Sequence, residues 1–169
     1  VQADGSTRTV RRPAGILRYV RSLDHSHWHY RPFERYSLLN ASGIAVARDA
    51  KSGFCLGDRY RVPQAGGVGR AVYTGACGLR RPGLLGVRQG ISVGWGDDYA
   101  GFLEGQSIDV SAVAPGRYRL VHTVNGTGAL IESRRDNNTS AVTIELTRRG
   151  GVARVRVVAE TQGRSVSGG

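Results

Sequence analysis

Val142-Thr143-Ile144-Glu145-Leu146 and Val152-Ala153-Arg154-Val155-Arg156-Val157-Val158 flank the tetrapeptide Arg148-Arg149-Gly150-Gly151. In both runs apolar residues recur at alternate positions. That is the period of a strand with one buried face. Two such runs around a Gly-Gly turn predict a hairpin. The same pattern extends upstream. Arg117 to Asn125 places Tyr118, Leu120, His122 and Val124 on one face, after the turn Ala114-Pro115-Gly116. Phe33 to Asn40 and Ile44 to Arg48 read as strands around Ala41-Ser42-Gly43, Ile16 to Leu23 as an earlier strand, and Ser107 to Val113 as a further one. No helical period holds anywhere. Many short strands, frequent turns and little helix predict an all-β chain, a β-sandwich with long irregular loops.

The 169 residues suffice for one domain with a real core. Residues 1–15 read as a flexible lead, 16–160 as the domain and 161–169 as a loose Gly/Ser-rich tail. No apolar run reaches the length of a membrane span. The start lacks a basic segment followed by an apolar block, so a secreted chain would be met here in mature or trimmed form. Lys and Arg total 24 against 13 Asp and Glu, a net charge of +11. The arginines are scattered, with no helix-turn-helix and no zinc-finger spacing. We therefore expect a basic surface and no specific nucleic-acid partner.

The chemistry concentrates in Asp24-His25-Ser26-His27-Trp28-His29-Tyr30, which holds three of the four histidines. On a strand, His25, His27 and His29 share a face. Three imidazoles suit one copper or zinc ion with positions left open for water or substrate. His122 sits in an apolar strand pattern and reads as structural. Lys51 is the only lysine. Unlike arginine, it can lose its proton and act as a nucleophile. It lies near the start of residues 49–90, a Gly/Pro-rich irregular region containing Cys55 and Cys77, just outside the loop those cysteines would close. These cysteines fit one disulfide, which implies an oxidising compartment, or two buried thiols.

These residues occur in an order that resembles the catalytic domain of the lysyl oxidase family, most like a bacterial member. The histidine run is similar to the family's copper motif. Phe33-Glu34-Arg35-Tyr36-Ser37-Leu38-Leu39-Asn40 and Ala50-Lys51-Ser52-Gly53-Phe54-Cys55-Leu56-Gly57-Asp58 follow its next two segments, the second with one inserted residue. Gly94-Trp95-Gly96-Asp97-Asp98-Tyr99 matches more loosely. Gln106, Asp109, Val110, Pro115, Gly116 and Tyr118 keep the family's spacing from that tyrosine, and Glu132-Ser133 with Asn137-Asn138 resembles a further loop. The likeness runs from about residue 16 to residue 146.

The resemblance implies copper on His25, His27 and His29, and a lysine tyrosylquinone (LTQ) built from Lys51 and Tyr99. It implies oxidative deamination of lysine side chains or related primary amines, with O2 consumed and an aldehyde, hydrogen peroxide and ammonia released. Asp97, two residues before Tyr99, is the expected α-proton acceptor, with Asp98 its rival. Asp97, Asp98, Glu104 and Asp109 are expected to form an acidic patch that attracts a cationic amine. The likeness further implies calcium near Asn137 and Asn138. No partner ligands are recognisable nearer the N-terminus, which leaves calcium doubtful. A secreted monomer is expected. Two other readings remain open: a β-fold metalloenzyme using the three histidines without a quinone, and a non-enzymatic β-sandwich that binds copper or an anionic polymer.

Overall fold

A computed structural model of the chain describes residues 6, 13–21, 26–49, 53–63, 66–67, 69–100, 105–132 and 134–161. Its described strands are β1 (Ile16–Val20), β2 (His27–Arg31), β3 (Glu34–Leu39), β4 (Ala45–Arg48), β5 (Tyr60–Arg61), β6 (Trp95–Gly96), β7 (Gly116–Val124), β8 (Thr139–Arg149) and β9 (Val152–Thr161). All pairings between them are antiparallel. There is no helix among the described residues, and the chain is all-β. The backbone divides into two compact units. One comprises Val1–Pro32 and Gly53–Ala100, the other Phe33–Ser52 and Gly101–Gly169.

The second unit is built on a five-stranded sheet in the order β4-β3-β7-β8-β9. Leu38, Ile144 and Leu146 are buried on it together with Val113. Tyr118, Leu120, Val142 and Ala153 pack around them. The alternation of β8 thus does what its sequence predicts, sending Val142, Ile144 and Leu146 to one face. Opposite Leu146 and Ile144 stand Val155 and Val157 of β9. As residues of an edge strand these remain 57% and 53% exposed. Gly150 and Gly151, with φ of 57° and 80°, make the turn between β8 and β9, a conformation that costs other residues energy. The β3–β4 turn is pinned by Asn40, whose Oδ1 accepts from the Ser42 and Ile44 backbone N–H groups at 3.0 and 2.9 Å.

Ser107 to Val113 does not form the expected strand. Only Ile108 makes an isolated bridge, to Asp49. Local hydrogen bonding replaces a ladder. Asp109 Oδ1 accepts from Ser111 N at 2.8 Å. The Arg148 guanidinium donates to the carbonyls of Val110, Ser111 and Val113 at 2.7, 2.9 and 3.2 Å. An Asp side chain that bonds its own backbone two residues on stabilises a turn, and this competes with extension.

The first unit holds a two-stranded ribbon, β1 and β2, and a long segment that carries the short antiparallel pair β5–β6. β1 lies on one edge of β2, with Ile16 opposite Arg31 and Val20 opposite His27. On the other edge, Trp28 N donates to Cys77 O at 3.0 Å, while Tyr30 and Phe54 exchange backbone hydrogen bonds of 2.9 and 3.1 Å. Cys55 and Cys77 form a disulfide with Cα atoms 5.7 Å apart. Tyr30, Phe54, Cys55, Leu56 and Cys77 are buried and make the small core of this unit. Backbone pairing to β2, the β5–β6 pair and one covalent bond all help to order the long irregular region of the sequence. No helix among the described residues is long and apolar enough to cross a membrane.

Candidate functional site

His27 and His29 project from the same face of β2, as the strand period requires. Their Nε2 atoms lie 2.8 Å apart, and the rings are tilted by 56° with centroids 4.8 Å apart. His29 is buried at 4% exposure. Such a separation is that of a hydrogen bond between a protonated and an unprotonated ring nitrogen. It also matches two nitrogens bound at right angles to one ion, each about 2.0 Å from it and so about 2.8 Å apart. Two converging imidazole nitrogens could contribute to holding one metal ion. Among the described residues no three His, Cys, Asp or Glu side chains form a ligand set. The third expected ligand, His25, lies outside the described residues, as do Lys51 and Glu104.

The chain just after Lys51 passes close over the histidine strand. A Cβ on Gly53 would meet Arg31 Cγ at 2.5 Å and His29 Cβ at 3.1 Å. Gly53 thus permits the close approach that lets Phe54 bridge to Tyr30.

Tyr99 is attached to the same segment. Its hydroxyl donates to Cys55 O at 2.7 Å. Its ring meets Phe54 edge-on, with centroids 4.8 Å apart and planes at 76°. Phe54 is 1% exposed. One backbone bridge and one ring contact therefore join the histidine strand to Tyr99.

Asp97 is a buried carboxylate, its side chain 7% exposed. Oδ2 accepts from Gly57 N at 2.9 Å and Oδ1 from Asp98 N at 3.0 Å. Arg59 Nε lies 3.8 Å from Oδ1. Burial pushes the carboxyl above the usual aspartate range, only partly opposed by the Gly57 hydrogen bond and the Arg59 charge. A carboxyl with raised proton affinity suits a proton acceptor. The same burial corrects the expected acidic patch. Asp97 is not an exposed steering charge; Asp109, exposed in the other unit, accepts from Ser111 N and stays ionised.

Sequence reasoning missed the residue that organises this loop. Asp58 is 5% exposed. Its Oδ2 accepts from Val72 N, Tyr73 N and the Ser92 hydroxyl at 2.7, 3.1 and 2.8 Å, and its Oδ1 from Ser92 N at 2.7 Å. Burial alone would raise its proton affinity, but these hydrogen bonds outweigh burial and hold it below the usual range. No periodicity marks such a residue, because its partners are up to 34 positions away. Gln89 was also missed. Its Oε1 accepts from Leu56 N at 3.0 Å.

His122 has a different role in the other unit. It stacks on Tyr36 with centroids 4.2 Å apart and planes at 3°, and its Nε2 lies 2.8 Å from Glu34 Oε2. In the loop where calcium was implied, Glu132 Oε2 accepts from Asn125 Nδ2 and Asn138 Nδ2 at 2.7 and 2.8 Å. Within the described residues that carboxylate oxygen is satisfied by these two amides.

Comparison with known families places this arrangement. Residues 16–156 match the family model described as lysyl oxidase. The chain belongs to the lysyl oxidase family. Among its relatives, mouse lysyl oxidase homolog 4 is 33% identical over 126 residues, which cover 74% of this chain and 15% of that protein. Human lysyl oxidase homolog 1 is 32% identical over 130 residues, covering 74% of this chain and 20% of the relative. Rat protein-lysine 6-oxidase is 34% identical over 119 residues, 68% of this chain and 25% of the relative. This lysyl oxidase family chain thus spans a quarter or less of the length of these three relatives. The matched region contains the histidine strand, the Lys51 segment and Tyr99.

Proposed function

We propose that this chain is the catalytic domain of a secreted copper amine oxidase. It converts lysine side chains or related primary amines to aldehydes. For each amine, one O2 and one water are consumed, and hydrogen peroxide and ammonia are released. His25, His27 and His29 hold copper, and Lys51 and Tyr99 are the parents of an LTQ cofactor. The observation that carries this reading is the converging His27–His29 pair on a strand bridged to the segment that receives the Tyr99 hydroxyl. The family membership supports it.

Once formed, the quinone supplies a carbonyl electrophile and an electron sink that unmodified side chains lack. The rest falls to the chain's own residues. Phe54 and the Cys55 carbonyl hold the Tyr99 ring in one orientation. Asp97 accepts a proton at its carboxylate, and its burial favours that proton's uptake. The disulfide fits an oxidising, extracellular setting.

The test is the visible spectrum of the copper-loaded, aerated protein before and after phenylhydrazine. A coloured adduct in the wild type, absent from Lys51→Arg and Tyr99→Phe, is expected together with amine-dependent peroxide release. Undiminished amine turnover in Lys51→Arg would refute the quinone and favour a metal site acting without it.

A further inference from the structure

Asp97 is held by a device that neither the histidine strand nor the cofactor residues explain. Gly57 donates its N–H to Asp97 Oδ2 at 2.9 Å. The same glycine leaves the space above its Cα empty, and the Arg59 guanidinium fills it. A Cβ on Gly57 would meet Arg59 Cζ at 2.6 Å, Nη2 at 2.7 Å and Nε at 2.8 Å. Folded back in this way, Arg59 puts Nε 3.8 Å from Asp97 Oδ1. Its Nη2 donates to Gly75 O at 3.2 Å. The Arg59 backbone N–H donates to Gly96 O, beside Asp97, at 2.9 Å. The guanidinium is thus hydrogen-bonded at Nη2 and ion-paired at Nε, with its side chain 34% exposed.

We propose that Arg59 is a positioning residue for Asp97, its guanidinium seated over the bare Cα of Gly57 so that one oxygen of the carboxylate faces a fixed positive charge and the other a backbone N–H. A planar fork suits this place, since one group reaches the carboxylate and a carbonyl together. Two charged residues act on Asp97: Arg59 favours its ionised form, and Asp98 opposes it. Without Arg59, burial and Asp98 would act with only backbone donors against them. Asp97 would then stay protonated to higher pH, and the ionised fraction able to accept a proton would fall at pH below the raised midpoint. The value of this positioning to catalysis rests on the proposed oxidase activity. The positioning itself does not.

The experiment is a 13C NMR titration of the Asp97 carboxyl, assigned by its loss in Asp97→Asn, in wild type, Arg59→Gln and Gly57→Ala. Gly57→Ala leaves Arg59 and Asp97 in place chemically but pushes the guanidinium off its seat. Both variants are expected to raise the proton affinity of Asp97 by about tenfold, and Arg59→Lys to recover part of the change. If Arg59→Gln does not fold, because Gly75 O loses its donor, Gly57→Ala carries the test. An unmoved or lowered midpoint in the folded variants overturns the proposal. The acid limb of kcat/KM read on the copper-loaded enzyme separates the two claims. A limb that moves with the NMR midpoint supports both. A moved midpoint with a fixed limb keeps the positioning role and removes Asp97 as the base.

Discussion

The Tyr99 hydroxyl donates its hydrogen bond to the Cys55 carbonyl, 44 residues away, at 2.7 Å. A proposed cofactor parent is thereby held against a half-cystine. Tyr99→Phe removes the donor and leaves the ring on Phe54. We expect a loss of about 1 kcal/mol in urea unfolding, but complete loss of the phenylhydrazine adduct. Retention of the adduct would exclude Tyr99 as a parent.

The disulfide is expected to matter for the same segment. Cys55 and Cys77 close a loop with a sequence separation of 22. A loop of that size contributes about 3 kcal/mol through the unfolded state. Cys55→Ala/Cys77→Ala should lose that much in denaturant unfolding. A change below 1 kcal/mol would mean that the backbone bonds to β2 hold the segment alone.

For the histidine pair the readout is metal content. Copper retained after dialysis against a weak chelator should fall sharply in His27→Ala and in His29→Ala. The loss should exceed the roughly 10–100-fold that removing an outer partner of a ligand costs. Unchanged copper in both variants would remove β2 from the metal site.

Asp58 makes stability depend on pH. Its folded-state proton affinity is lowered. Its contribution is therefore full above the ordinary aspartate value of 3.8 and is lost as pH falls from there through the lower folded value. The Tm of the wild type should drop in that window. Asp58→Asn would turn an amide donor toward a cluster of donors. It should cost about 3 kcal/mol at neutral pH and flatten the acid dependence. An equally steep acid limb in Asp58→Asn would assign it to another carboxylate.

In the other unit, His122→Phe preserves a ring for Tyr36 to stack on but leaves Glu34, with its side chain 10% exposed, without its imidazole partner. A loss of about 1–3 kcal/mol is expected. Pairing it with Glu34→Gln should recover part of that loss if the two side chains are coupled. Strict additivity in the double variant would show that they are not.

The strands were legible where one face of the sheet is buried and the other is wet. β8 announces itself through Val142, Ile144 and Leu146, and the β3–β4 turn through Ala41-Ser42-Gly43. The strand expected over Ser107 to Val113 was not found, because Asp109 and Arg148 compete for its backbone groups. The shared face of His27 and His29 was legible for the same reason that β8 was. Asp97 could be named from its place beside Tyr99, but its burial could not. The acidic patch was therefore read as a surface feature when its central member is enclosed.

What the sequence determined by itself is what depends on short-range geometry. The two-residue period set the all-β class and put alternate histidines on one face, while motif order and a lone lysine pointed to the family. What only the tertiary structure decided depends on groups distant along the chain. The Asp58 network, the Tyr99–Cys55 hydrogen bond and the Arg59–Gly57–Asp97 seat each join residues across a loop with no repeating pattern. Their energies come from desolvation and from hydrogen bonds that exist only after the loop has closed. No local arrangement of side chains along the sequence encodes them.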